Sequence, residues 1–414
     1  MKKAPSPIVS LIPIIVLVLL LFATIRTFGS DALSGGSQVS LLTTTAICIL
    51  IGMVFYKIPW KDYELAITNN IAGVATAIII LLIIGALSGI WVISGVVPTL
   101  IYYGMQIIHP SFFLASTCII CALISVMTGS SWTTIATIGI ALMGIGKAQG
   151  FEDGWIAGAI ISGAYFGDKI SPLSETTILA SSITDTPLFR HIRYMMITTV
   201  PSLVITLIIF TVAGFSHDAN NTQHIAEVAT ALNEKFHITP WLLIVPVATG
   251  ILIAKKVPSI VTLFLSTLLA AVFALIFQPD LLEEISGIAA SGFDSLFKGL
   301  MMTIYGETNL HTDNAVLTDL IATRGMSGMM NTIWLILCAM CFGGAMTASG
   351  MVGSITSIFV RFMKKTVSVV SATVCSGLFL NLTTADQYIS IILTGNMFRD
   401  IYAKKGYESC LLSR

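Results

Sequence analysis

Seven apolar runs of bilayer length dominate this chain, at 8–28, 39–57, 72–94, 193–215, 239–278, 329–349 and 366–382. A helix needs ~20 mostly apolar residues to cross a hydrocarbon core, so the runs specify an all-α integral membrane protein, a polytopic helical bundle. The run at 239–278 is long enough for a pair turned at Lys255-Lys256-Val257-Pro258. Less regular apolar stretches at 98–108, 111–127, 131–146, 155–166, 285–305 and 387–398 raise the expectation to about ten to thirteen membrane segments. Composition agrees: charged residues are 10% and hydrophobic ones 55%, whereas a soluble domain carries roughly 25% charge. That excludes an ordinary soluble protein and also disorder, which needs low hydrophobicity and high charge. With a net charge of zero, no basic face exists to neutralise a phosphate backbone, and no nucleic-acid partner is expected.

Lys2 and Lys3 before the first run resemble a signal peptide, but the run exceeds the ~7–15 residues of an h-region and lacks a convincing cleavage site. It reads as the first span. Lysines and arginines in short loops set orientation. Lys2, Lys3, Lys57 and Lys61 fall on one side of the first two spans and Arg26 on the other, which makes the N-terminus cytoplasmic. Arg190/Arg193, Lys255/Lys256 and Arg361/Lys364/Lys365 should face the same way. The polar insert 216–238 holds His217, His224 and His237 with one base, Lys235, and is expected outside. Cys118-x-x-Cys121 and Cys338-x-x-Cys341 have metal-like spacing but lie in apolar runs, where cysteine behaves as a small hydrophobe. No cofactor is expected.

The two halves align at a fixed offset. Ser94-Gly95 meets Ser349-Gly350, 255 positions later, and the same offset joins Gly89 to Gly344 and Thr128 to Thr383. One residue of slippage brings Gly150-Phe151-Glu152 onto Gly406-Tyr407-Glu408. The 72–94 span follows inward lysines, while its counterpart around 329–360 precedes inward basic residues, so the two should run in opposite directions. This expects an inverted repeat with interrupted helices and re-entrant hairpins, an architecture common in secondary transporters. The chain then divides into N-terminal spans (1–70), a first repeat (71–215), the external insert (216–238), linking spans with a hairpin (239–328) and a second repeat (329–414). The counterpart of 155–180 would fall at about 411–436, past Arg414, so the second repeat reads as cut short.

Polar interruptions mark the candidate sites. Thr128-Gly129-Ser130-Ser131-Trp132-Thr133-Thr134 breaks the first half, and Asn381-Leu382-Thr383-Thr384-Ala385-Asp386-Gln387 the second. Irregular backbone at membrane depth survives only where it lines protein or a wet cavity. Freed carbonyls and the hydroxyls of Thr128, Ser130, Ser131, Thr383 and Thr384 are neutral oxygen ligands suited to Na⁺, and Asp386 would add a charge. A carboxylate at mid-bilayer costs at least ~2.5 kcal/mol and reads as functional, although Asp386 could instead cap a helix at an interface. The densest polar stretch is Gly167-Asp168-Lys169-Ile170-Ser171-Pro172-Leu173-Ser174-Glu175-Thr176-Thr177. Gly167 would turn the backbone and Pro172 would open a helix after Ser171, offering a positive helix end to an anion. Asp168 and Glu175 could take protons or a cation, Lys169 could pair with either acid or with an anion, and Ser171, Ser174 and Thr176 would add hydroxyls. With Lys147 and Arg190/Arg193 all inside, 155–185 becomes a re-entrant hairpin; otherwise it is a surface loop. Glu307 and Asn309, with Asp313, form a third polar group, in a hairpin tip or an external loop.

The stretch GDKISPLSETT resembles a motif of the NhaC-type Na⁺/H⁺ antiporter family. TGSSWTT at 128–134, Glu307-Thr308-Asn309, Arg324-Gly325-Met326 and Gly395-Asn396-Met397-Phe398 are similar to further patterns of that family, from about residue 10 to the end. The resemblance implies an antiporter of the bacterial inner membrane exchanging Na⁺ for H⁺, or in one branch malate with protons for Na⁺ and lactate. The mechanism expected is alternating access, with Na⁺ and H⁺ competing for one carboxylate site at the repeat interface, Asp168 or Asp386 (the two Na⁺ ligand candidates). A homodimer is admissible. An intramembrane hydrolase is disfavoured, since no histidine lies within an apolar span and no G-x-S-x-G occurs, and no enzymatic activity is expected.

Overall fold

A computed structural model describes residues 5–216, 222–255, 257–308, 310, 312, 317–318, 321–355, 366–384 and 387–414. Among them are seven helices long and apolar enough to cross a membrane: Pro7–Phe28, Gly36–Tyr56, Trp60–Ile93, Pro110–Thr128, Leu188–Ser216, Ser259–Phe277 and Gly325–Ala348. The protein is therefore a polytopic helical membrane protein. Its large apolar side chains point outward along whole helices, as with Ile8 at 80% and Leu19 at 62% exposure, which fits a hydrocarbon solvent rather than water.

Local sequence sets the helix ends. Helix α1 (Pro7–Phe28) starts with Ser6 capping the Val9 N–H and Pro7 at the first position, and stops at Gly29. At 22 residues it is about 33 Å long, enough for a bilayer core. Helix α2 (Gly36–Tyr56) follows, and α3 (Trp60–Ile93) starts well before the apolar run at 72. The expected pair at 239–278 differs in its first member. After a 3₁₀ turn at Pro240–Leu243, the helix Ile244–Ala254 has 11 residues, about 17 Å, and bends 92° from the preceding helical segment. The stretch 285–305 is likewise two helices, Pro279–Ser286 and Phe293–Tyr305, because Gly287 at φ 63° closes the first in a left-handed cap. The insert 216–238 is not uniformly polar. It carries the helix Thr222–Lys235, whose Val228 and Leu232, with Phe236 just beyond, form a buried stripe at i, i+4, i+8.

The described chain forms two compact units: residues 1–78, 179–187 and 330–414, and residues 79–178 and 188–329. In the first, α2 packs against both α1 and Met330–Ala348, and Gly344 lies against the main chain of Ile67. Asp185 pairs with Arg399 at 3.1 Å. The second unit is built on α4 (Val96–Ile107), α5 (Phe113–Thr128), α6 (Ser131–Thr134), a π-helical turn at Ile135–Gly139, α7 (Ile140–Ala148), α8 (Asp153–Ile170), α9 (Glu175–Ile183, which enters this unit by its first turn) and α10 (Leu188–Ser216). A buried chain from Trp91 Nε1 to Ser266 Oγ (3.1 Å) to Thr249 Oγ1 (2.7 Å) ties α3 to two further helices of this unit.

The turns aligned by the 255 and 256 offsets share local geometry. Gly95 and Gly350 have φ of 83° and 71°. The hydroxyl before each bonds back three residues, Ser94 to Trp91 and Ser349 to Met346. Gly150 and Gly406 have φ of 83° and 71°, and the next N–H closes a six-residue ring at 3.0 Å in both, Phe151 to Gly146 and Tyr407 to Tyr402.

Candidate functional site

The site grows from the packing of α8 on α5. Gly163 and Gly167 stand four residues apart on one face of α8. A Cβ on Gly163 would meet the Cys118 carbonyl oxygen at 2.1 Å, and one on Gly167 the Ala122 carbonyl oxygen at 2.4 Å. The two main chains thus lie closer than any side chain permits, the small-xxx-small contact of membrane helices. Gly167 was expected to turn the chain. It is instead inside α8, and its role is this close approach. The Ser125 hydroxyl donates to the Ala164 carbonyl across the same interface.

Close packing brings two helix breaks together. The first ends α5 at Gly129, φ 66°, whose absent side chain leaves room for the main chain of Leu173 at 2.7 Å. Ser130 is extended and its hydroxyl caps the Thr133 N–H at 3.2 Å, so the helix resumes at Ser131. Thr128 spans the gap, its hydroxyl accepting from the Ser130 N–H at 3.1 Å and meeting the Thr134 hydroxyl at 3.4 Å. The π-helical turn lies immediately beyond; such turns are rare and gather at functional sites.

The second break follows α8. The sequence placed a helix start at Pro172, but α8 continues to Ile170, and the next helix begins at Glu175. Ser174 is the cap, accepting from the Thr177 N–H at 3.4 Å, because a proline at 172 and an extended Ser171 suit a turn as well as a helix start. The Ser171 hydroxyl donates to the Val126 carbonyl at 2.8 Å and accepts from the Leu173 N–H. The Thr177 hydroxyl donates to the Lys169 carbonyl at 3.2 Å. These contacts fix the turn against α5.

Asp168 sits where the breaks meet. The Ser131 hydroxyl donates to its Oδ2 at 3.1 Å. The Ser131 main-chain N–H and the Ser174 hydroxyl bear on the same carboxylate. A half-buried carboxylate therefore faces the positive end of the helix that begins at Ser131, held by hydroxyl donors, with the charge of Lys169 next to it in sequence. Hydroxyls that donate to the empty carboxylate can turn their lone pairs to a cation held there. Thr128 and Ser130 stand at the first break, and Ser171, Ser174 and Thr176 at the second, with Thr176 Oγ1 3.0 Å from Ser174 Oγ. Glu175 is exposed on the first turn of its helix.

The other sequence candidates stand elsewhere. Glu307 is exposed and pairs with Arg324 at 3.3 Å, beside a buried Thr308–Thr323 hydroxyl contact of 2.9 Å. Asn309, Asp313 and Asp386 lie outside the described residues. Thr383 and Thr384 end the helix Thr366–Thr384, and their side chains lie outside the described residues. Sequence reasoning missed Gly163, whose spacing to Gly167 was visible, and the capping roles of Ser130 and Ser174.

Comparison with known proteins agrees with this architecture. The sequence model of the Na⁺/H⁺ antiporter family matches residues 4–180 and 163–414. The Na(+)/H(+) antiporter NhaC of Bacillus subtilis (strain 168) is 35% identical over 375 residues, 90% of this chain and 80% of that protein. The Malate-2H(+)/Na(+)-lactate antiporter of the same organism is 36% identical over 379 residues, 91% and 78% of the two chains. The arginine/ornithine antiporter ArcD of Halobacterium salinarum is 30% identical over 417 residues, 100% and 82%. The chain belongs to the Na⁺/H⁺ antiporter family and is a secondary transporter of the antiporter type.

Proposed function

We propose that the protein exchanges Na⁺ for H⁺ by alternating access, and that the two ions compete for Asp168. The observation that carries this is the Ser131–Asp168 hydrogen bond at the meeting of two helix breaks. An ionised carboxylate is costly to move through a dry barrier. Bound Na⁺ or a bound proton removes that cost, and the empty site does not cross, so exchange becomes obligatory. Ser131 and Ser174, with Thr128, Ser130, Ser171 and Thr176 around the breaks, supply neutral oxygens, and Glu175 stands at the rim. Thr383, Thr384 and Asp386 would furnish a corresponding element in an inverted second repeat, and Glu307 and Asn309 an outer relay. The setting is the bacterial inner membrane with a cytoplasmic N-terminus.

The second reading is Na⁺-coupled carboxylate exchange through the same ion site, supported by the near-equal identity to an antiporter named for malate and lactate. Na⁺-dependent fluorescence quenching of a pH dye in everted vesicles, with and without malate, separates the two. Na⁺/H⁺ exchange gives a response independent of malate, and carboxylate exchange gives one that requires it.

A further inference from the structure

Within the first compact unit, the fully buried thiol of Cys48 on α2 meets the end of the helix Met330–Ala348 and the turn that follows it. The thioether sulfurs of Met346 and Met351 and the hydroxyl oxygen of Ser349 each lie 3.7 Å from its Sγ. All four side chains are buried.

Donors and acceptors do not balance in this group. A thioether sulfur accepts and cannot donate. The Ser349 hydroxyl spends its proton on the Met346 carbonyl at 2.9 Å, so it too turns lone pairs toward Cys48. Three acceptors therefore compete for one thiol proton, a surplus that a cation among them satisfies. The opposite deficit lies beside it. The Tyr63 hydroxyl, near the start of α3, is fully buried and makes no hydrogen bond with any described residue. It fills the space that a side chain at Gly52 would take, one turn along α2 from Cys48 and on the same face. The phenol and the thiol act on each other electrostatically. A neutral thiol is a weak acceptor for such a donor, whereas a metal-bound thiolate carries the charge to hold it.

Methionine often fills irregular gaps in a core, but the turn itself does not call for sulfur. The aligned turn of the other half, Ser94-Gly95, has the same left-handed glycine and the same hydroxyl bond three residues back. It carries Trp91 and Val96 where this one carries Met346 and Met351.

We propose that Cys48, Met346 and Met351 bind a soft monovalent cation, Cu(I), with the Ser349 oxygen as a further neighbour and Tyr63 donating to the metal-bound thiolate. Thiolate and thioether sulfur select Cu(I), while hard cations take oxygen. Sulfurs about 2.3 Å from a tetrahedral metal stand about 3.8 Å apart, close to the 3.7 Å found here. Charge decides against Zn²⁺. One thiolate neutralises Cu⁺, but a divalent ion would leave an uncompensated charge buried in the membrane. On binding, Cu⁺ takes the place of the thiol proton, which passes to solvent, and copper keeps its oxidation state. Since no side chain of the site reaches the surface, the ion enters through local opening of the helices and leaves slowly.

The test uses the purified full-length chain in detergent, warmed anaerobically with bicinchoninate-buffered Cu(I). Copper retained after desalting is quantified beside the melting temperature and the copper K-edge absorption spectrum. The wild type is expected to retain stoichiometric Cu(I) in sulfur coordination, to melt higher when loaded, and to retain no Zn²⁺. Cys48→Ser is expected to retain no copper. Met346→Leu and Met351→Leu conserve core volume, so they should melt like the metal-free wild type yet hold Cu(I) at least about tenfold more weakly. These two variants decide the matter should Cys48→Ser fold poorly. Tyr63→Phe should weaken Cu(I) about tenfold, and Cys118→Ser should change nothing. Failure of the wild type to retain copper overturns the site. Equal retention by Cys48→Ser also overturns it, because the copper then sits on other thiols. Unchanged affinity in both methionine variants does the same, since a single thiol is then the whole ligand.

Discussion

The hydroxyl of Ser131 donates to Asp168 across 3.1 Å, joining the first residue of a resumed helix to the last turn of another, 37 positions on. The bond links the two broken segments through a side chain of each. Ser131→Ala removes the hydroxyl that donates to Oδ2 and leaves Ser174 as the remaining hydroxyl on the carboxylate. A hydrogen bond to a charged group is worth about 1.5–3 kcal/mol, so the Na⁺ concentration for half-maximal exchange in everted vesicles should rise roughly tenfold or more, with insertion unchanged.

Gly163→Ala and Gly167→Ala place a methyl where the α5 main chain stands at 2.1 and 2.4 Å. Neither carbonyl is a flexible side-chain end, so α8 must move off α5. Overpacking of this kind costs about 1–3 kcal/mol. A lower melting temperature of the purified protein should accompany reduced exchange, and Gly154→Ala, which meets nothing within 4 Å, serves as the neutral control.

Ser171→Ala removes the donor to the Val126 carbonyl and takes the hydroxyl from that oxygen at a part-buried contact. The expected loss is about 1–2 kcal/mol of stability. The account expects the maximal exchange rate to fall more than the apparent Na⁺ affinity, because the turn carrying Ser174 loosens while Asp168 keeps Ser131.

Topology is open to direct labelling. With a cytoplasmic N-terminus, a single cysteine at Lys61 should react with a membrane-impermeant maleimide in everted vesicles and not in intact cells.

The spanning helices were legible because each carries its own signal, an apolar run of bilayer length with a cap or glycine at its end, as at Ser6 and Gly29. The split of 285–305 was hidden, since Gly287 sits within an apolar stretch and only its backbone angle shows that it closes a helix. Asp168 was legible as a charge amid hydroxyls. Its partner was not, because the Ser131 contact depends on how closely α8 meets α5, which Gly163 and Gly167 decide through main-chain distance rather than hydropathy. Ser174 was legible as a hydroxyl near a break, but its capping role follows from Pro172 lying in a turn rather than opening a helix.

The most direct measurement is Na⁺-driven proton flux in everted vesicles carrying Asp168→Asn, with membrane insertion checked by quantified protein. The account predicts that flux is abolished, because the neutral amide binds neither ion in exchange for the other. Flux equal to wild type at the same protein level would contradict it.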